Sequence, residues 1–286
     1  MDEVRIATRG SALAVAQARI VASLLLAKDP SLSVRLVEVS TAGDRDQEAP
    51  VAELTEIGAF VRGVQQAVLD GAADVAVHSL KDLPVAGPAR LELVAVPKRA
   101  SALDVLVGST LGELPPGGLL GTGSPRRTAQ LLDLRPDLRT IELRGNIDTR
   151  LDKIANGAVD GAVLAEAGLD RLGRAEVIAQ RLDPAQMVPA PGQGALAVEA
   201  RVGSRFAELA SLIDDVETRV LVNAERLLLE ETGAGCRSAL GALATSHGDQ
   251  IRLNAFVADG DGRRRSVSFG STPESVVASA RRELGL

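Results

Sequence analysis

Three kinds of residue in this chain have the type and spacing for chemistry. Lys81 and Asp82 stand side by side in Ser79-Leu80-Lys81-Asp82-Leu83-Pro84, directly after the apolar run Asp74–His78. Such a couple past a strand end is either a solvated pair on a turn or a working pair, with Lys81 holding a ligand carboxylate and Asp82 accepting hydrogen bonds from the ligand. Pro84 keeps the chain from continuing as a regular element. The second kind is arginine: Arg9, Arg126, Arg127, Arg144, Arg150 and Arg171 each fall at the end of a short apolar run or in the helix after it. Ligands of open α/β sheets bind at that edge, where free backbone N–H groups favour anions. The third is the sole cysteine, Cys236, in Gly233-Ala234-Gly235-Cys236-Arg237-Ser238. A lone cysteine is ordinarily a small buried hydrophobe; here the glycines let the backbone bend tightly and leave the side chain at a tip that a large group can approach.

Composition narrows the classes. With 286 residues, 45% of them hydrophobic, the chain can bury a sizeable core and should form two or three domains. The N-terminus enters a strand pattern directly, and no stretch offers ~18 uncharged apolar residues, so a cytoplasmic protein that neither spans nor needs a membrane is expected. One cysteine excludes an internal disulfide, and with only His78 and His247 beside it no metal site is expected. A net charge of -6 and 1% aromatic residues argue against a nucleic-acid binder. Any anionic ligand must therefore meet local positive charge, and with lysine confined to Lys28, Lys81, Lys98 and Lys153 that charge is arginine.

The elements that must position these residues read as alternating strands and helices. Strands are expected over Val4–Ala7, Ser33–Val39, Asp74–His78, Leu91–Val96, Asp104–Gly108, Thr140–Leu143, Asp160–Leu164 and Ala195–Glu199, and Leu119–Arg127 reads as strand, glycine loop and helix start. The first helix carries Ala12, Val15, Ala16, Arg19 and Ile20 at helical spacing, and a later one, near 215–231, carries Val216, Val220, Val222, Leu227 and Leu228. Residues 40–59 have no periodicity and read as a long loop. His78, ending an apolar strand, reads as a core histidine rather than a base. In Gly121-Thr122-Gly123-Ser124-Pro125-Arg126-Arg127, Ser124 suits the N-cap and Pro125 the first helical position; the spacing is not that of a nucleoside-triphosphate loop. Two arginines in that first turn oppose the helix dipole, at a cost of a few tenths of a kcal/mol or about that, unless an anion sits there.

Asp70–Val77 and Asn156–Val163 share one pattern, a helix end running into a strand, as two similar α/β domains would. Pro189–Gly194 is hinge-like, and Ala195–Glu199 can return to the first domain. After Cys236, strands at Ala239–Ala244, Ile251–Ala258 and Ser266–Phe269 and a closing helix give a small α+β domain. The expected division is 1–98 with 194–213, 99–193, and 214–286.

Ile6-Ala7-Thr8-Arg9-Gly10-Ser11, His78–Pro84, Gly121–Arg127, Leu143-Arg144-Gly145-Asn146, Pro191-Gly192-Gln193-Gly194 and the Gly235-Cys236 bend, in this order, resemble the porphobilinogen deaminase (hydroxymethylbilane synthase) family over nearly the whole chain. The resemblance implies two domains like type II periplasmic binding proteins with a cleft between them, plus the small C-terminal domain, in a monomeric enzyme of tetrapyrrole biosynthesis. It implies that four porphobilinogen molecules are joined head to tail on a dipyrromethane cofactor bound by a thioether to Cys236. It makes Asp82 the catalytic carboxylate, which also orients the cofactor ring, and sets Lys81, Asp82, Ser124, Arg126, Arg127 and Arg150 on the cofactor. Arg9, Arg144, Arg150 and Arg171 fall along the substrate and growing chain, with Ser11, Gln17 and Gln193 nearby in the cleft. Two departures stand out. Glu56-Ile57-Gly58 replaces a glycine-lysine-glycine common in the long loop, with Glu53 also acidic and Phe60 kept, and Pro125 replaces a more usual leucine. A non-catalytic anion-binding module of the periplasmic-binding-protein type would also explain the arginines, but it leaves Cys236 without a task.

Overall fold

The computed structural model describes residues 3–40, 61–233, 239–260 and 262–286. Glu53, Ile57, Phe60 and Cys236 lie outside them. The chain forms two compact units, Met1–Ala100 with Ala195–Arg219 and Ser101–Gly194 with Val220–Leu286. The architecture is mixed α/β: one five-stranded sheet in the first unit, a second in the other unit, and a three-stranded sheet near the C-terminus.

The first sheet is built from β1 (Glu3–Arg9), β2 (Ser33–Val39), β3 (Val75–Ser79), β4 (Leu91–Ala95) and β10 (Leu196–Arg201), in the order β2-β1-β3-β10-β4. β1 is parallel to β2 and β3, and β10 is antiparallel to both β3 and β4. Alternation along β3 sends Val75 and Val77 into one apolar layer with α1 (Ala12–Lys28) and α6 (Arg205–Ser211), and Ala76 into another with α2 (Arg62–Leu69). Covering both faces is what a strand with no polar alternation requires. The buried face of α1 is Gln17, Ala18, Val21 and Leu25, while Arg19 and Ile20 are exposed. The face expected from sequence is thus rotated, because α1 is apolar nearly all round and its periodicity does not single out one stripe.

The second sheet repeats the strand directions of the first, with the inner antiparallel strand coming first in the chain instead of last. Its strands are β5 (Asp104–Val107), β6 (Leu119–Gly121), β7 (Arg139–Ile141), β8 (Gly161–Ala165) and β9 (Ile178–Arg181), in the order β7-β6-β8-β5-β9. β6 is parallel to β7 and β8, and β5 is antiparallel to β8 and β9. The helices are α3 (Pro125–Leu134), α4 (Ile147–Ala155) and α5 (Glu166–Arg171). The sequence echo marks equivalent joints. In the first unit the Asp74 carboxylate accepts from Arg5 N at 2.8 Å and Asp74 N donates to Arg5 O at 2.8 Å. In the second, the Asp160 carboxylate accepts from Leu119 N at 2.6 Å and Asp160 N donates to Leu119 O at 2.9 Å. One aspartate thus seals the helix-to-strand joint onto a parallel neighbouring strand in each sheet, β1 in the first and β6 in the second. β9 was not expected from sequence, being a four-residue edge strand with a single strongly apolar residue.

α7 (Val216–Glu231) leads to the antiparallel meander β11 (Ala239–His247), β12 (Gln250–Asp259) and β13 (Gly262–Gly270), closed by α8 (Pro273–Leu284). On α7 the buried positions are Thr218, Val222, Ala224, Glu225 and Leu228, whereas Val216 and Val220 are exposed. The stripe expected through Val216 and Val220 is therefore wrong, and the true face contains a glutamate. Arg263 of β13 meets Asp133 of α3 at 2.6 Å, and the Arg265 guanidinium donates to Ala185 O and Gln186 O at 3.4 and 3.2 Å, so the meander is tied to the second sheet's layer.

Candidate functional site

In the first unit the predicted residues gather at the C-terminal ends of β1 and β3. Ser11 caps α1, its hydroxyl accepting from Ala14 N at 3.3 Å, and Arg9 is half-buried at the strand end before it. Lys81 and Asp82 ride on a short 3₁₀ turn, Leu80–Asp82, that follows β3. The turn is pinned from both sides. Leu80 is fully buried and its N–H donates to Ala195 O at 3.0 Å, while Leu83 N closes back on Leu80 O at 3.1 Å. With the apolar residues inward, Lys81 is left half-buried and Asp82 exposed, so the carboxylate faces outward on a rigid support. Gln17 is instead buried, its amide donating to Ser79 Oγ at 2.7 Å, so it braces the end of β3 from behind. His78 is interior as well. Its Nε2 approaches Glu199 Oε2 to 3.1 Å without the alignment of a hydrogen bond, and Gln65 Nε2 donates to both Glu199 oxygens at 3.1 and 2.9 Å.

In the second unit the site is a buried ion cluster. Ser124 caps α3 through Arg127 N at 3.4 Å, with Pro125 in the first turn. Arg126 Nη1 donates to Asp104 Oδ2 at 2.7 Å, and Arg127 Nη2 and Nε donate to Asp104 Oδ1 at 2.7 and 3.1 Å. Gln193 Nε2 adds a bond to the same Oδ1 at 2.9 Å and one to Ala102 O at 2.7 Å. Asp104 and Gln193 are fully buried and both arginines nearly so. Burial alone would push the Asp104 carboxyl up, but the Arg126 and Arg127 charges and their hydrogen bonds more than offset it and hold it well below the usual carboxylate range. Burial pushes the Arg126 guanidinium down, against the Asp104 charge that holds it up.

Asp104 is the functional residue that the sequence reading missed. It also corrects one inference: the two arginines at the start of α3 do not by themselves demand an external anion, because Asp104 supplies one. Its only sequence signal is an acidic residue heading an apolar run. The cluster is nevertheless left positive. Arg150 lies near enough to Arg127 for that charge, after burial, to lower its pKa. There are thus three guanidiniums to one carboxylate. Arg150 Nε donates to Gly145 O at 2.9 Å, and Arg171 Nη2 to Gly194 O at 2.7 Å; burial lowers the Arg171 pKa, opposed by Asp170. Arg144 is half-buried, and its Nη2 donates to both Glu142 oxygens, at 3.2 and 3.1 Å. The linkage sign for Asp104 is that of a depressed carboxylate. Its contribution to stability is complete above its unfolded pKa of about 4 and is lost only as pH falls through the much lower folded value. The side-chain carboxyl ¹³C resonance of Asp104 should accordingly stay that of the ionised form down to pH ~4; a midpoint in the ordinary aspartate range would contradict the buried cluster.

A repeated α/β sheet with cations and capped helix N-termini at its strand ends defines the class: a mixed α/β protein. Residues 4–208 match the family model described as porphobilinogen deaminase, dipyromethane cofactor binding domain, and residues 220–284 match porphobilinogen deaminase, C-terminal domain. The chain belongs to the porphobilinogen deaminase family. The porphobilinogen deaminase of Acidothermus cellulolyticus is 44% identical over 293 aligned positions, covering 99% of this chain and 87% of that one. That of Mycolicibacterium gilvum is 47% identical over 245, covering 84% and 78%. Among solved structures, a periplasmic substrate-binding protein from Coxiella burnetii aligns with TM-score 0.46 and 14% identity over 73% of this chain and 91% of that one, and the methionine-binding protein MetQ with 0.44 and 12% over 74% and 89%.

The donor set fits the cofactor that the family implies. A group carrying carboxylates needs planar cationic forks with charge to spare, and the cluster around Asp104 holds that excess in a water-poor setting where it acts strongly.

Proposed function

We infer that this chain is a transferase that deaminates four porphobilinogen molecules and joins them head to tail, releasing ammonia at each addition and hydroxymethylbilane after hydrolysis. The family match across both parts of the chain carries this reading. When bound by a thioether to Cys236, the dipyrromethane supplies the pyrrole carbon at which the new bond forms. The residues of the chain do the rest. As the aminomethyl carbon–nitrogen bond of the substrate breaks, the electron pair leaves with ammonia and positive charge spreads onto the ring nitrogen. Asp82, on its outward-facing turn, is assigned to that ring N–H, where its charge stabilises the cation. Lys81, Ser124, Arg126 and Arg127 hold the cofactor's carboxylates, and Arg150 serves cofactor and substrate. Arg9, Ser11, Arg144 and Arg171 take the substrate and the growing chain. Gln17 and Gln193, which donate to Ser79 and Asp104, support the site from within.

The reading extends to a cytoplasmic monomer. No helix among the described residues is long and apolar enough to cross a membrane. Native mass spectrometry tests these points together. The purified protein should fly as one chain heavier than its sequence by two pyrrole units, and Cys236→Ser should remove the excess. An unmodified wild-type mass, with no heavier species after adding porphobilinogen, would sink the enzymatic reading.

A further inference from the structure

Glu225 is a glutamate where helix propensity and charge would place a solvent-facing residue, yet it is fully buried. The partners of its carboxylate include two from separate parts of the second unit. Oε2 accepts from Gly192 N at 2.7 Å, and Oε1 accepts from Ala244 N, on β11, at 2.9 Å. Charged acceptors on backbone N–H groups make the stronger class of hydrogen bond.

The Gly192 partner belongs to a strap, residues 188–194, that is held along both edges. On one edge β11 grips it: Ala242 N donates to Pro189 O at 2.9 Å, and Gly241 comes so close that a Cβ there would stand 2.8 Å from Val188 O. On the other edge the arginine cluster grips it. Arg126 Nη1 and Gln130 Nε2 both donate to Val188 O, at 2.5 and 3.1 Å, and Gln193 reaches Asp104. Gly192 and Gly194 take positive φ, 72° and 85°, which turns the Gln193 side chain inward between them. Glu225 thus fixes the strap on one side of Gln193 through Gly192 N, while Arg171 Nη2 holds Gly194 O on the other.

We propose that Glu225 is a positioning residue for the arginine cluster: by anchoring Gly192 it holds Gln193 on Asp104 and so fixes the directions in which Arg126 and Arg127 present their remaining N–H groups. The proposal rests on the reading of that cluster as the carboxylate-holding part of the site. Glu225→Gln is the informative change, since it keeps the shape but puts an NH₂ donor against either Gly192 N or Ala244 N, so that one of these two bonds is lost.

The test compares Glu225→Gln with Leu253→Ala, which removes a fully buried side chain from the core of the meander and serves as a stability control. Hydrogen exchange of the Arg127 Nε–H and Gln193 side-chain signals is read by NMR in the full chain, beside the fraction of molecules carrying the two-pyrrole mass excess. In Glu225→Gln the exchange should quicken about tenfold and the loaded fraction fall, while Leu253→Ala, with an equal or lower unfolding midpoint, should leave both unchanged. Wild-type exchange in Glu225→Gln, or equal acceleration in Leu253→Ala, would overturn the proposal. A wild-type chain without the mass excess would defeat the functional reading instead, with the exchange comparison still deciding the role of Glu225. Should the amide variant not fold, Glu225→Asp, whose shorter carboxylate cannot span both donors, supplies the same comparison.

Discussion

Asp104→Ala should destabilise the second unit by about 3–5 kcal/mol and leave the protein without its pyrrole cofactor. The magnitude follows from what remains after the change: Arg126 and Arg127, nearly buried, would keep their charges and lose the carboxylate that both share. Replacing one partner of a buried ion cluster is costly because the survivors cannot recover their hydration, even where the intact cluster adds little net stability. Asp104→Asn should fare little better. An amide keeps one oxygen for Arg127 and Gln193 but turns an NH₂ toward Arg126 Nη1, setting donor against donor. With no Trp or Tyr in the chain, urea unfolding is best followed by circular dichroism. An Asp104→Ala midpoint matching wild type would mean that the two arginines do not depend on this carboxylate.

Asp82→Asn should do the reverse, stopping turnover while leaving the fold alone. Asp82 is exposed, and its turn is held by Leu80 and Leu83, so stability should stay within ~0.5 kcal/mol of wild type. Its expected task is electrostatic, and removing a charge aimed at a developing cation should lower kcat by about 10²–10³. Asp82→Glu keeps the charge but misplaces it and should retain more activity than the amide. The expected signature is therefore a folded, loaded Asp82→Asn protein that binds porphobilinogen and scarcely converts it. A binding module would tolerate the amide, so near-normal product formation by Asp82→Asn would remove Asp82 from catalysis.

The contrast between these two aspartates shows what could be seen in the sequence. Ser33–Val39 was legible to the residue, and the strand ends carrying Arg9, Lys81-Asp82 and Arg126-Arg127 were found because apolar runs bounded by glycine, proline and capping residues punctuate an α/β chain clearly. Asp82 follows such a run and is exposed, so its local pattern is its whole story. Asp104 and Glu225 are different. Each is a charged residue made interior by partners that are distant along the chain, Arg126 and Arg127 for one, Gly192 and Ala244 for the other, and no local pattern announces a partner. The misread faces of α1 and α7 have a related cause. Where a helix is apolar on most sides, or buries a glutamate, periodicity cannot choose its inward stripe. Buried Gln17 and Gln193 belong here too, since an amide reads the same whether it touches a ligand or braces the strand behind it.

The place of β10 in the first sheet has a consequence for synthesis. Leu196–Arg201 lies between β3 and β4, and among the described residues β4 has no other strand partner in that sheet. A nascent chain that has emerged only as far as Arg181 already holds all five strands of the second sheet, while the first sheet still lacks its connecting strand. On the ribosome, the sheet that is begun first is therefore completed only after the second, and β4 must wait, its edge unpaired, for the return of a segment encoded roughly a hundred codons downstream.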